Sequence, residues 1–262
     1  RPSPAEVKRL ARSIQRRRGA TVLVCFSHTV AEAAIDGGVR NEGLFVVRPG
    51  VEASWCDAAD RTQLRQQWGI LDESTPVVAA LATPPLSADA ERAGLALAMA
   101  CEAMGNPGSL RQNIRLLCHP MQNARERARR VLGGIDMPDL VTQDHHAATP
   151  WQTLAGCDLA LVFGPHGDRL ARAWAMAAGR PTIVGPRAGA MDDIQHEQHG
   201  LVAKTHEPRD LAHCIKQVLE DRALAAGLGE RAAARAGQRF DPATMAHRLD
   251  EIVHQRLHTH TP

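Results

Sequence analysis

The segment from Cys157 to Gly185 constrains the fold of this chain more than any other. It reads Cys157-Asp158-Leu159-Ala160-Leu161-Val162-Phe163-Gly164, then Pro165-His166-Gly167-Asp168, a small-residue stretch from Leu170 to Ala178, and Gly179-Arg180-Pro181-Thr182-Ile183-Val184-Gly185. Two short apolar runs bounded by turn residues suit strands covered on both faces, because such strands have no solvated side to alternate toward. Between them Ala171, Ala173, Ala175, Ala177 and Ala178 predict a helix that lies close to a sheet, with Trp174 as its one bulky aromatic residue and Gly179 as its stop. The unit is one βαβ crossover. Its turn and the helix N-terminus present free N–H groups where anions such as phosphate bind.

The rest of the chain continues the alternation. The pattern predicts helices over 4–18 and 29–37 and strands over Thr21–Ser27 and Leu44–Arg48, followed by an irregular stretch to about Asp60 read as a linker between domains. Helix 60–68, strand Val77–Ala82, helix 87–104, strand Ile114–Cys118, helix 122–132 and a short strand at Leu140–Val141 follow. Thr149-Pro150-Trp151 opens a short helix with threonine as cap and proline in the first turn. After the crossover come a strand around Leu201-Val202 and helices at about 207–220, 222–237 and 241–256. Strands alternating with helices predict an α/β fold with a doubly wound parallel sheet.

Composition narrows the functional classes. With 31 basic and 29 acidic residues among 262, the net charge of +2 gives no global field toward nucleic acid. The basic cluster Lys8-Arg9, Arg12 and Arg16-Arg17-Arg18 reads as a solvated helix face or partner contact. Cys25, Cys56, Cys101, Cys118, Cys157 and Cys214 show no CxxC spacing and read as buried free thiols. No apolar stretch reaches the roughly 18–20 residues needed to span a bilayer, and no signal-peptide pattern is present. The expectation is a soluble, cytoplasmic protein with no transmembrane segment, leaving peripheral membrane contact open. His145-His146, His196 with His199, and His254, His258 and His260 lack a completing carboxylate or cysteine and read as surface or loop histidines, so no metal site is expected. Asp192-Asp193 offers paired carboxylates for acid–base work but reads more readily as a helix cap, and Trp151 and Trp174 offer a stack for a base or sugar but read more readily as core indoles.

Taken in order, Val46-Val47-Arg48-Pro49-Gly50-Val51-Glu52, Leu64-Arg65-Gln66-Gln67-Trp68-Gly69-Ile70, Pro76-Val77-Val78, Gly156-Cys157-Asp158, Ala175-Met176-Ala177-Ala178-Gly179-Arg180-Pro181 and His199-Gly200-Leu201-Val202 resemble the group 1 (family 4) glycosyltransferases of the GT-B fold. The resemblance runs from about residue 20 to 256. It implies that residues 51–238 form a Rossmann-like domain binding a nucleotide-sugar donor and that 239–262 form a helix crossing back. It also implies that 1–50 are the tail of an acceptor-side domain whose glycine-rich loop and catalytic histidine are absent from this sequence. The implied activity is metal-independent sugar transfer, as in polysaccharide biosynthesis, to a glycan or lipid-linked acceptor, with the nucleotide sugar as substrate and no cofactor. The alternative is a catalytically degenerate nucleotide- or glycan-binding relative, or a structural partner of an active transferase.

Several positions depart from the family pattern. Its two glutamates, eight residues apart, align with His166 and Trp174, and the arginine and lysine facing the donor diphosphate align with Thr83 and Ala93. An indole has one donor and no acceptor, so Trp174 cannot hold ribose hydroxyls as a carboxylate does. Arg92 and Arg169 stand nearby as replacement cations, and Asp192 stands where a glutamate is common. The resemblance therefore implies a donor site formed by His166, Gly167, Asp168, Arg169, Leu170, Trp174, Thr83, Arg92 and Asp192, with no catalytic residue assigned.

Overall fold

The computed structural model describes residues 22–26, 28–57, 60–81, 87–105, 114–119, 122–140, 149–162, 169–186 and 188–258. Chain contacts divide it into two compact units, Ala53–Gly237 on the one hand and Arg1–Glu52 with Gln238–Pro262 on the other.

In the larger unit, helices α2 (Ser54–Asp57) and α3 (Arg61–Gln67) lead into β3 (Val77–Leu81), α4 (Ser87–Ala103), β4 (Arg115–His119) and α5 (Gln122–Gly133). Then come α6 (Pro150–Gly156), β5 (Leu159–Val162), α7 (Arg169–Ala177), β6 (Thr182–Val184), α8 (Ala188–Met191), β7 (Leu201–Val202), α9 (Pro208–Glu220) and α10 (Arg222–Arg239). The five strands are all parallel, in the order β4-β3-β5-β6-β7. Every residue of β3, β5 and β6 is buried, as strands with covered faces require. Val78, Ala80, Leu116, Cys118, Leu159, Leu161, Ile183 and Leu201 pack on one side with the apolar faces of α4, α5, α9 and α10. Their alternating neighbours face the opposite side, where α6 and α7 cover β3, β5 and β6. The sheet is doubly wound, as the strand-helix alternation predicts.

The amino-terminal edge of this sheet is held by a partly buried clasp. Asp158, just before β5, accepts from Arg61 Nη2 at 2.6 Å, Arg65 Nη1 at 3.3 Å and the Val77 amide at 2.8 Å. Arg65 is fully buried. It also donates to the carbonyls of Gly156 and Thr75, while Arg61 donates to that of Cys157 at 3.0 Å. Buried guanidinium is tolerable here because its Nη donors meet carbonyls and a carboxylate. The motif pieces Leu64–Ile70 and Gly156–Asp158 are thus two halves of one contact, and Gly156 lacks a side chain because a Cβ would overlap the Trp68 ring.

The smaller unit contains β1 (Leu23–Cys25), α1 (His28–Asp36), a 3₁₀ turn (Asn41–Gly43), β2 (Leu44–Val46) and α11 (Pro242–His258), with β1 and β2 paired in parallel. Asp241 caps α11 by accepting from the Thr244 amide at 2.8 Å, with proline at the first helical position. The Val51 amide donates to the carbonyl of buried Phe240 at 2.8 Å.

Three sequence readings are corrected. The stretch before Asp60 contains helix α2, whose Trp55 packs on Trp151, so it is not simply an irregular linker. Leu140 ends a 3₁₀ turn, Pro138–Leu140, instead of starting a strand, because Pro138 has a fixed φ and no N–H for a ladder. Asp193 does not cap a helix but lies fully buried between two arginines. The predicted helix over 4–18 with its basic cluster, Val141, His145-His146 and His260 lie outside the described residues.

Candidate functional site

In the order β4-β3-β5-β6-β7 the chain steps from β3 outward to β4, then returns to β5 and proceeds the other way. The reversal lies between β3 and β5, and ligands of open α/β sheets bind outside the carboxyl ends of strands at such a point. Leu81 and Val162 end the two strands in register. Helix α4 follows β3 on one face and α7 follows β5 on the other, so both begin at this edge. Thr83, His166, Gly167 and Asp168 lie outside the described residues.

Helix α7 forms as its composition predicts. Ala171, Ala173, Ala175 and Met176 are buried, which lets the helix axis approach the sheet. It ends in a Schellman turn: Gly179 has φ +63, its amide donates to the Met176 carbonyl at 3.0 Å, and the Arg180 amide to that of Ala175 at 3.0 Å.

The first turn of α7 carries a buried ion cluster. Arg169 Nη2 lies 2.7 Å from Asp193 Oδ1 and Arg172 Nη2 lies 3.0 Å from Asp193 Oδ2. All three side chains are at most 5% exposed. Two guanidiniums share this carboxylate at the start of α7. Arg235 Nε donates to the Asp193 carbonyl at 2.7 Å, fixing the turn that presents it. Asp192, the position singled out from sequence, has its side chain exposed, and Leu170 is half-buried. Arg92 is exposed on α4, while Ala93 beside it is fully buried. The structure thus brings Arg169, Leu170 and Trp174 together on one helix.

Trp174 does not stand alone. Its ring centroid lies 6.2 Å from that of Trp151 in an edge-on arrangement, and Trp151 lies 5.2 Å from Trp55. Trp151 and Trp174 are half-buried and Trp55 is 46% exposed, so the reading of Trp151 and Trp174 as core indoles is corrected. A capping box, with Thr149 accepting from the Gln152 amide and Gln152 Oε1 accepting from the Thr149 amide at 2.9 Å, sets the first turn that carries Trp151.

Sequence reasoning missed two groups. Asp193 was hidden by its neighbour, since adjacent acidic residues carry no signal of which one turns inward. His206 was hidden because it follows β7 in a loop; its ring lies against Gly185 just beyond β6, where a Cβ would overlap the imidazole. A glycine directly after a buried strand was the available clue.

Other reactive groups are inert. Cys25, Cys101, Cys118, Cys157 and Cys214 are buried free thiols, as expected. Burial pushes Cys157 up to about 12 and Cys214 up to about 11. His196 is exposed, and its Nδ1 accepts from the Val202 amide at 3.0 Å. Among the described residues no three of His, Cys, Asp or Glu gather as a metal site, and no helix is long and apolar enough to cross a membrane.

Residues 175–235, from the last three residues of α7 into α10, match the family model described as "Glycosyl transferases group 1". No curated protein matches the chain significantly. Among solved structures, HepE of Anabaena, crystallised in complex with UDP and glucose, superposes with a TM-score of 0.77 at 22% identity, covering 96% of this chain and 67% of that one. A glycosyltransferase of Rickettsia africae gives 0.70 at 14% identity, covering 96% and 67%. WaaG, a glycosyltransferase involved in lipopolysaccharide biosynthesis, gives 0.69 at 17%, covering 90% and 64%. The chain thus has the Rossmann-like GT-B fold and resembles the C-terminal domain of group 1 glycosyltransferases.

Proposed function

We propose that the carboxyl edge between β3 and β5 binds the diphosphate of a nucleotide-sugar donor, and that the chain serves transfer of the sugar to a glycan or lipid-linked acceptor. The observation that carries this reading is the first turn of α7, where Arg169 and Arg172 share Asp193 at the point where the sheet order reverses. The group 1 match begins at the last three residues of the same helix, 175–177, and HepE, of like fold, was crystallised with UDP and glucose.

The chemistry follows from charge. As the bond from the sugar to the diphosphate breaks, negative charge grows on the leaving phosphate, and fixed positive dipoles aimed there stabilise it. The positive end of the α7 dipole supplies such a field, and Arg169 and Arg172 stand in and beside its first turn. Because Asp193 holds both guanidiniums in place, little ordering is needed when an anion arrives.

A second reading, binding without transfer, is favoured by Ala93 and Trp174. Neither offers the charge or the hydroxyl acceptor that the family pattern places there. Thermal-shift titrations of the 262-residue chain with UDP, GDP, ADP and their sugars test the donor site. A bound nucleotide at about 100 times its Kd adds roughly 2.7 kcal/mol. No shift with any nucleotide overturns the site. Arg169→Ala is expected to weaken nucleotide binding about 10- to 100-fold, the loss of one charge-assisted bond of about 1.5–3 kcal/mol. Release of nucleoside diphosphate in the presence of acceptor glycans then separates transfer from binding alone.

A further inference from the structure

Three of the four tryptophans of this chain, which has no tyrosine, gather outside its apolar core as the row Trp55, Trp151, Trp174. We infer that this row is a stacking platform for the nucleobase of the bound nucleoside diphosphate, so that the donor is gripped by ring contact where relatives of this fold are expected to use hydroxyl hydrogen bonds. The inference rests on the donor-site reading above.

Three observations carry it. Leu170 and Trp174 are four residues apart and share a face of α7, and Trp174 lies about 7.5 Å along the helix from Arg169 at 1.5 Å per residue. A ligand with its phosphates at the first turn and its nucleoside directed along α7 has its base beside the indoles. Trp151 sits at the start of α6, whose other end, Gly156, receives Arg65 at the amino edge of the sheet, so Trp151 lies toward the carboxyl edge, where α7 begins. The rings meet at 50° and 74° instead of stacking flat on each other, and the outermost, Trp55, keeps 46% of its surface open. An indole offers a π-face to any planar base but no acceptor to a ribose hydroxyl. The site is accordingly tolerant of base identity and indifferent to the 2′-hydroxyl.

Titrations of the full chain with UDP, GDP, ADP, 2′-deoxy-UDP and inorganic pyrophosphate, read by tryptophan emission and by calorimetry, test this. The expected result is that the four nucleotides bind within about tenfold of one another, more tightly than pyrophosphate, and change the emission. Trp55→Ala is expected to weaken all four about 5- to 100-fold, the fold-change of a lost base–aromatic stack, while leaving pyrophosphate affinity unchanged. Trp174→Phe, which keeps a ring on α7, is expected to retain most of the nucleotide affinity, and Trp174→Ala to lose it. If nucleotides and pyrophosphate bind equally and Trp55→Ala changes neither, the platform is overturned while the anion site stands. If no probe binds at all, the donor-site reading falls and the platform with it.

Discussion

Asp192 and Asp193 illustrate how neighbouring residues of one type take opposite fates. Asp192 is exposed, whereas Asp193 is fully buried and neutralised by Arg169 and Arg172. Removing one partner of a buried ion pair leaves charge stranded in low dielectric. Asp193→Asn is therefore expected to destabilise the protein by about 3–5 kcal/mol in chemical denaturation. Asp192→Asn should stay within about 0.5 kcal/mol of the parent. Cys157 makes a second prediction at this scale. Burial raises its thiol from the ordinary value of 9.0 to about 12, so the unfolded chain ionises first. The stability due to the neutral thiol is intact below pH 9.0 and is lost as pH rises toward 12. Unfolding midpoints of the parent should fall across that window more steeply than those of Cys157→Ala. Only part of this was legible residue by residue: the sequence shows an apolar run around Cys157 and hence its burial, but not which carboxylate two arginines will choose.

The elements themselves were far more legible. Gly179 and Thr149-Pro150 mark helix ends by chemistry that acts within a few residues, and the structure places a Schellman turn and a capping box at them. Leu140 was misread because an apolar pair, here Leu140-Val141, looks like a strand when its hydrogen-bond partners are unseen. Packing between elements is legible only in hindsight. The Gly179 carbonyl approaches α10 so closely that a Cβ on Gly229 would overlap it, whereas a Cβ on Gly237 of the same helix meets nothing within 4 Å. Gly229→Ala should thus cost about 1–3 kcal/mol through overpacking. Gly237→Ala should gain about 0.5–1 kcal/mol from reduced backbone freedom in the unfolded chain, and thermal melts of the pair distinguish the two effects.

For the molecule as a whole, alternating strand and helix signals gave the doubly wound class, but the order β4-β3-β5-β6-β7 depends on pairings that no local pattern encodes. The position of the candidate site follows from that order, so it too was legible only through the likeness to a known family. The Asp158 clasp has a kinetic consequence. It joins Arg61 and Arg65 to a carboxylate 97 and 93 residues away, and reaches the Val77 amide across 81. Such a knot can tighten only after the intervening chain has been gathered, so its bonds form late on the folding route. Asp158→Asn is accordingly expected to leave the refolding rate nearly unchanged and to accelerate unfolding, visible as a shift confined to the unfolding arm of a chevron plot. An equal shift of both arms would mean that the clasp forms early. The clasp acts as a latch on the lifetime of the native state, setting how long the sheet stays closed once made and having little say in how fast it is reached.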